Sequence, residues 1–264
     1  MGPELSKQAR SIKDGDRDRH DATAAPVALV TGGARRVGRA IVLELARHGF
    51  AVVVHYHESR DEAALTVRDV EASGGRALAL RADLRRRAEL EGLFGSVAEA
   101  WGRLDLLVNN ASSFFATPFG TVDEAQWDEL LATNLKAPFF AAQLAAPLLQ
   151  AGGRGQIVNV LDAAIGRPWR SYLPYVAAKA GLEALTRGLA RALAPAVRVN
   201  AVAPGPVLLP EEMAPAERAK AIDATLLKRA GTPEALARTV AFLATGPDYL
   251  TGAVIPVDGG RALA

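Results

Sequence analysis

Val27-Ala28-Leu29-Val30-Thr31-Gly32-Gly33-Ala34-Arg35-Arg36-Val37-Gly38 is the stretch whose reading decides the fold. Its four leading apolar residues form a continuous run, the mark of a short strand buried on both faces. Glycine at positions 32, 33 and 38 lets the chain turn tightly and lets a ligand approach the backbone. Ala40 to His48 then carries helical spacing. A strand, a glycine turn and a helix in that order offer free helix N–H groups to an anion such as a pyrophosphate. The strict G-x-G-x-x-G spacing is absent, so this turn alone is a weak fingerprint.

The same alternation continues outward to the C-terminus. Strands are expected at Ala51–Val54, Ala77–Leu80, Leu104–Val108, Gln156–Leu161, Val197–Val202 and Val254–Val257. Helices are expected at Asp61–Ala72, Arg87–Trp101, Asp123–Gln150, Pro174–Leu193 and Pro233–Leu243, the third interrupted near Pro138 and Pro147. Uninterrupted apolar strands separated by helices predict an α/β fold. The expectation is a parallel seven-stranded sheet, doubly wound, with helices on both faces. Residues 26–264 read as one domain. Leu208 to Arg229, with Pro210, Pro215 and many charges, reads as a mobile lid over the substrate.

Composition removes several function classes. The chain has 264 residues, half of them apolar, enough for one sizeable core. It has no cysteine, which excludes disulfides, thiolate catalysis and cysteine–zinc sites. Its four histidines show no H-E-x-x-H spacing, so no metal is expected. A net charge of +2 from 31 basic and 29 acidic residues gives nucleic-acid binding little support. No apolar run approaches the ~18 residues of a membrane span. Residues 1–25 are charged and nearly devoid of large apolar side chains; they read as a disordered tail or a cloning remnant. They contain no apolar signal segment, so a cytoplasmic protein is expected.

The turn Thr31-Gly32-Gly33-Ala34-Arg35-Arg36-Val37-Gly38 resembles the Thr-Gly-x-x-x-Gly-x-Gly opening of the short-chain dehydrogenase/reductase family. Arg36 replaces the middle glycine, as in that family's pteridine reductase branch. The resemblance implies a Rossmann fold, with Gly32, Arg35, Arg36, Val37 and Gly38 around the cofactor pyrophosphate. It also implies that Arg36 bridges pyrophosphate and a bound pterin, which suits a guanidinium fork. Strand two ends His55-Tyr56-His57-Glu58-Ser59-Arg60. Tyr56 stands where an acid would select NAD, so NADP is favoured. His55, His57, Ser59, Arg60 and Arg35 are candidates near the 2′-phosphate, whereas Glu58 stands where the branch carries an arginine. The resemblance further assigns Asp83 and Leu84 to the adenine, and Asn110, Ala111 and Ser112 to the adenosine and nicotinamide-ribose side. Pro204, Gly205 and Val207 are assigned to the nicotinamide, although Val207 has no side-chain donor.

Tyr175 and Lys179, four apart in a helical stretch, share one helix face. A phenol has a pKa near 10, so an adjacent ammonium is expected to lower it for acid–base work. In the family this Tyr-x-x-x-Lys pair is catalytic, and Lys179 also holds the cofactor ribose. Where most members carry a serine, before Tyr175, this chain carries Asp162, as pteridine reductases do. A carboxyl group pairs with the N–H donors of an amino-oxo heterocycle or, protonated, delivers a proton to a ring nitrogen. Asn134 matches the helix asparagine that supports a water next to the lysine. Ser112 and Phe114 lie in Asn110-Ala111-Ser112-Ser113-Phe114, which resembles the pterin-binding stretch, with the phenylalanine over the flat ring.

The expected catalytic set is therefore Asp162, Tyr175, Lys179 and Asn134. The expected substrate contacts are Arg36, Ser112, Phe114, Asp162 and Tyr175. The expected activity is NADPH-dependent reduction of a C=N bond in a dihydropterin, pterin or dihydrofolate, by a homotetramer as the family implies. The rivals are a carbonyl-reducing member of the same family, acting on 3-oxoacyl or sugar ketones, and a non-catalytic NADP-sensing protein.

Overall fold

The computed structural model describes residues 25–209 and 213–264. The expected tail lies outside the described residues except for Ala25. Seven strands form one sheet: β1 Val27–Val30, β2 Ala51–Tyr56, β3 Ala77–Arg81, β4 Leu106–Asn109, β5 Gly155–Val160, β6 Val197–Pro204 and β7 Val254–Val257. Their order is β3-β2-β1-β4-β5-β6-β7, and every pairing is parallel. The chain starts in the centre, winds to one edge, then returns past β1 and winds to the other.

Alternation of side chains along β1 explains why both faces need cover. Ala28 and Val30 join a core with Ile41, Val42 and Leu45 of α1 (Arg36–Arg47) and Val70 of α2 (Arg60–Ala72). Val27 and Leu29 point the other way, toward Leu93, Phe94 and Val97 of α3 (Arg87–Trp101). Any polar group on either face would be stranded, so an uninterrupted apolar strand is the pattern this position needs.

The expected long helix is instead three pieces: α4 Glu124–Leu131, a π turn at Ala132–Lys136, and α5 Ala137–Ala151. The break therefore falls before both prolines. Pro138 sits in the first turn of α5, where a missing N–H costs little, and Pro147 stays inside the helix. The break is made by Asn134, whose Nδ2 donates 2.9 Å to Leu130 O, four residues back. Asp123 starts α4 with a capping box to Gln126.

After α6 (Leu173–Leu193) and β6, the segment expected to be a lid contains a helix, α7 (Pro215–Asp223), with no buried residue. Residues 210–212 of that segment lie outside the described residues. The last helix, α8 (Pro233–Thr245), covers the same face as α1. The C-terminal ends of β1, β2, β4, β5 and β6 thus open on one side, where an open α/β sheet binds its ligand.

Candidate active site

The glycine turn is held from three directions. Thr31 N donates to Val108 O at 3.0 Å, and Gly33 N donates to His55 O at 2.9 Å. Asn110 Nδ2 donates to Thr31 O at 2.8 Å and Gly32 O at 3.2 Å. Ala111 N reaches Thr31 Oγ1 at 3.0 Å. Gly32 has φ +62, and a Cβ on Gly38 would stand 2.0 Å from Gly32 O, so only glycine fits at 38. Arg36 also has a positive φ, 55, unusual for a side chain of its size, and its Nη2 donates to Leu208 O at 3.3 Å. Neither a side-chain cap nor an acid stands in the first turn of α1, so its N–H groups remain available to an anion. Val37 turns its side chain into the core, leaving its backbone as its contribution to the turn.

His55 is a correction to the sequence expectation. The ring is 2% exposed, and its two nitrogens are both used inside the protein. Nδ1 accepts from Gly32 N at 3.0 Å, and Nε2 pairs with Ala82 O at 3.0 Å. Since Nδ1 accepts, Nε2 carries the hydrogen. Burial above all holds the ring at about 4, well below an ordinary histidine. His55 is therefore a neutral peg beneath the glycine turn, and no ring nitrogen is left for a cofactor. Tyr56 packs partly into the core beside it. His57, 3.8 Å from Glu58 and 3.9 Å from Asp83, lies at the surface with Ser59 and Arg60 at the start of α2. The Asp83 carboxylate is gripped by Arg85, Nε and Nη2 each at 2.9 Å, which holds it at about 2. Leu84 packs partly against the core on the α3 side.

Asp162, Tyr175 and Lys179 come together at the end of β5. Tyr175 Oη donates to Asp162 Oδ2 at 2.9 Å, and Asp162 Oδ1 accepts from Ala164 N at 2.7 Å. Burial raises the Asp162 carboxyl above the usual carboxylate range. Lys179 is buried, donates to Val160 O at 2.9 Å, and lies 5.7 Å from the centre of the Tyr175 ring. Burial pulls its ammonium down to about 8. The expectation that Lys179 lowers the phenol is corrected here. Burial first, and then the Asp162 charge, hold Tyr175 well above an ordinary tyrosine, so the resting group is a phenol ready to donate. Asn134 sits in the π turn with its side chain directed into the protein. It is fully buried, and both Nδ2 hydrogens are taken, by Leu130 O and Ser113 O at 2.9 Å each.

Phe114 stands beside this group, half exposed. Its ring lies 4.9 Å from Tyr175, edge-on, and is stacked on Tyr172 at 4.7 Å and 5°. Trp169 closes the cluster, 6.1 Å from Phe114, with the Arg261 guanidinium 5.8 Å above its ring. Trp169, Tyr172 and Arg261 escaped the sequence reading. The signal was an aromatic every third residue, Trp169, Tyr172 and Tyr175. Pro204 ends β6, and Gly205 N donates to Val257 O at 3.1 Å; a Cβ there would meet Asp258 Cα at 2.7 Å. Val207 is buried, its N–H turned back onto Gly205 O at 2.8 Å. Among the described residues, no three His, Asp or Glu side chains gather as a metal site. None of their helices is long and apolar enough to cross a membrane.

The family model described as enoyl-(acyl carrier protein) reductase matches residues 32–262. The chain belongs to the short-chain dehydrogenase/reductase family. It is 37% identical to the 3-oxoacyl-[acyl-carrier-protein] reductase FabG of Staphylococcus epidermidis, over 88% of this chain and 97% of that one. The FolM alternative dihydrofolate reductase 1 from Brucella canis, solved with NADP, is 38% identical at a TM-score of 0.84. That match covers 90% of this chain and 94% of that one. The angucycline C-6 ketoreductase LanV with bound NADP is 32% identical at a TM-score of 0.86, covering 90% and 96%. This short-chain dehydrogenase/reductase is an NADP-dependent oxidoreductase. Its residues fit that cofactor: a glycine cradle that Gly38 alone can complete, an uncapped helix N-terminus, and the exposed cations Arg35, Arg36 and Arg60.

Proposed function

We propose that the protein is a pteridine reductase, transferring hydride from NADPH to a C=N bond of a dihydropterin, pterin or dihydrofolate. The Asp162–Tyr175 hydrogen bond carries this reading. A carboxyl group at the reacting end suits the N–H donors of a 2-amino-4-oxo ring, whereas a ketone oxygen needs a donor there. Phe114 offers a half-exposed aromatic face to a flat ring, and Arg36 stands over the turn with its guanidinium reaching Leu208. When bound, NADPH supplies the hydride. Tyr175 then provides the proton, Asp162 orients it and pairs with the ring, and Lys179 stands behind the phenol with its charge. Gly32, Arg35, Arg36, Val37 and Gly38 cradle the pyrophosphate. His57, Ser59 and Arg60 approach the 2′-phosphate, while Asp83 and Leu84 flank the adenine. Asn110, Ala111, Ser112, Pro204, Gly205 and Val207 line the nicotinamide side, and Asn134 secures the Ser112 loop.

The second reading, reduction of a 3-oxoacyl or polyketide ketone, draws on the names of FabG and LanV. One assay separates them: NADPH oxidation with dihydrobiopterin, with dihydrofolate, and with a panel of ketones. Turnover of a pterin or folate is expected. Silence with both, together with turnover of a ketone, would replace the first reading by the second. The reading includes a cytoplasmic homotetramer. Sedimentation analysis tests the homotetramer.

A further inference from the structure

Past β7, a tight turn at Asp258-Gly259-Gly260 presents Arg261 to the active site. Buried Asp258 accepts from Gly260 N at 2.9 Å and from Ala262 N at 2.8 Å, so the backbone on both sides of Arg261 is fixed. Gly259 and Gly260 take positive φ of 64 and 79, and a Cβ on Gly260 would stand 2.8 Å from the Leu226 side chain. Leu227 N donates to Gly259 O at 3.0 Å, which ties the turn to the segment after α7. Arg261 itself reaches two places at once. Its Nη1 donates to Ala221 O of α7 at 3.1 Å, and its guanidinium carbon lies 5.8 Å from the centre of the Trp169 ring, within cation–π range. A guanidinium can donate in its own plane and lay its face over an indole, which an ammonium cannot. Because α7 buries no residue, the bond to Ala221 gives it a fixed point that packing does not supply.

Trp169 touches Phe114 at 6.1 Å and Tyr172 at 5.6 Å, and Phe114 touches Tyr175 at 4.9 Å. Trp169 is therefore one ring removed from the proposed proton donor. The Arg261 charge is also felt at Asp162, which puts it on the same side of the site. We propose that Arg261 is a positioning residue for substrate choice: it holds Trp169 between Phe114 and α7 as a fixed wall that favours an aryl substituent on the flat ring. The inference rests on the pteridine reading. In a dihydropterin the carbon that takes the hydride also carries the substituent, so the substituent leaves the ring beside Tyr175. The short hydroxylated chain of dihydrobiopterin asks little of a wall one ring away. The aryl group of dihydrofolate extends to it and stacks on an indole that is held in place.

Arg261→Met keeps most of the stem and removes the charge and its donors. In the NADP-bound enzyme the Trp169 emission, taken against Trp169→Phe as the blank, is expected to shift to the red and to be quenched more readily by acrylamide. KM for dihydrofolate is expected to rise roughly tenfold, the size of one lost hydrogen bond and its ring contact, while KM for dihydrobiopterin rises roughly threefold or less. Trp169→Leu removes the same wall from its other end and is expected to give the same split between the two substrates. Adding Arg261→Met to Trp169→Leu is expected to cost nothing more, since both changes act on one contact. Arg261→Ala serves the same purpose if methionine disturbs the turn. Unchanged emission and quenching in the Arg261 variants, or a KM change that is absent or equal for both substrates, overturns the role of Arg261. A parent enzyme that turns over neither substrate overturns the pteridine reading instead, and the emission test still judges whether Arg261 holds Trp169.

Discussion

Acidification from about pH 7 to about pH 5 tests the part played by His55. In the folded chain the ring is buried, accepts from Gly32 N and pairs with Ala82 O, and is held near 4 instead of 6.5. In the unfolded chain it titrates normally, so between these values the unfolded state binds a proton that the folded state refuses. Stability therefore falls as pH drops through 6.5, and the full loss is reached near 4. A shift of this size corresponds to about 3 kcal/mol in total, of which about 2 kcal/mol is lost between pH 7 and pH 5. Urea unfolding at a series of pH values measures it. His55→Leu provides the comparison. It is expected to be less stable at neutral pH, by about 1–3 kcal/mol for each of the two stranded backbone groups. It is also expected to show a flatter acid dependence than the parent protein. NADP affinity of the variant should fall, since Gly32 loses its anchor. Parallel acid curves for the two proteins, or equal stability at pH 7, would refute the assignment of His55 as a neutral peg.

Three further outcomes follow from the site. Asp162→Ser is expected to lower pterin or folate turnover by roughly 10²–10⁴-fold, the usual worth of a positioned acid–base group, while ketone reduction holds or rises; steady-state NADPH oxidation reads both. Tyr175→Phe should lose turnover to a similar degree, roughly 10²–10⁴-fold, yet bind NADP with near-parental affinity in a fluorescence titration. In Gly38→Ala the new methyl meets Gly32 O and Asn110 Nδ2, so the turn must open. Calorimetry should show about 1–3 kcal/mol of lost stability together with at least tenfold weaker NADP binding.

Local chemistry along the chain was enough for the fold. Val27–Val30 has no polar residue that could face water, so its strand had to be covered twice, and the glycine turn after it had to meet a helix. The Tyr175–Lys179 spacing likewise places both side chains on one helix face before any packing is known. Helix ends were less legible, because α1 begins at Arg36 only when its backbone accepts a positive φ, and the π turn depends on one amide of Asn134. The rest depended on partners far apart in the chain. Whether His55 meets a ligand or a backbone was decided by Ala82 and Gly32, which the sheet brings to it from either side. Whether Tyr175 rests as phenol or phenolate was decided by burial and by Asp162 across the end of β5. A histidine or a tyrosine carries the same formula in every setting; its proton is allocated by the dielectric and the neighbours that folding assembles, and those exist only in three dimensions.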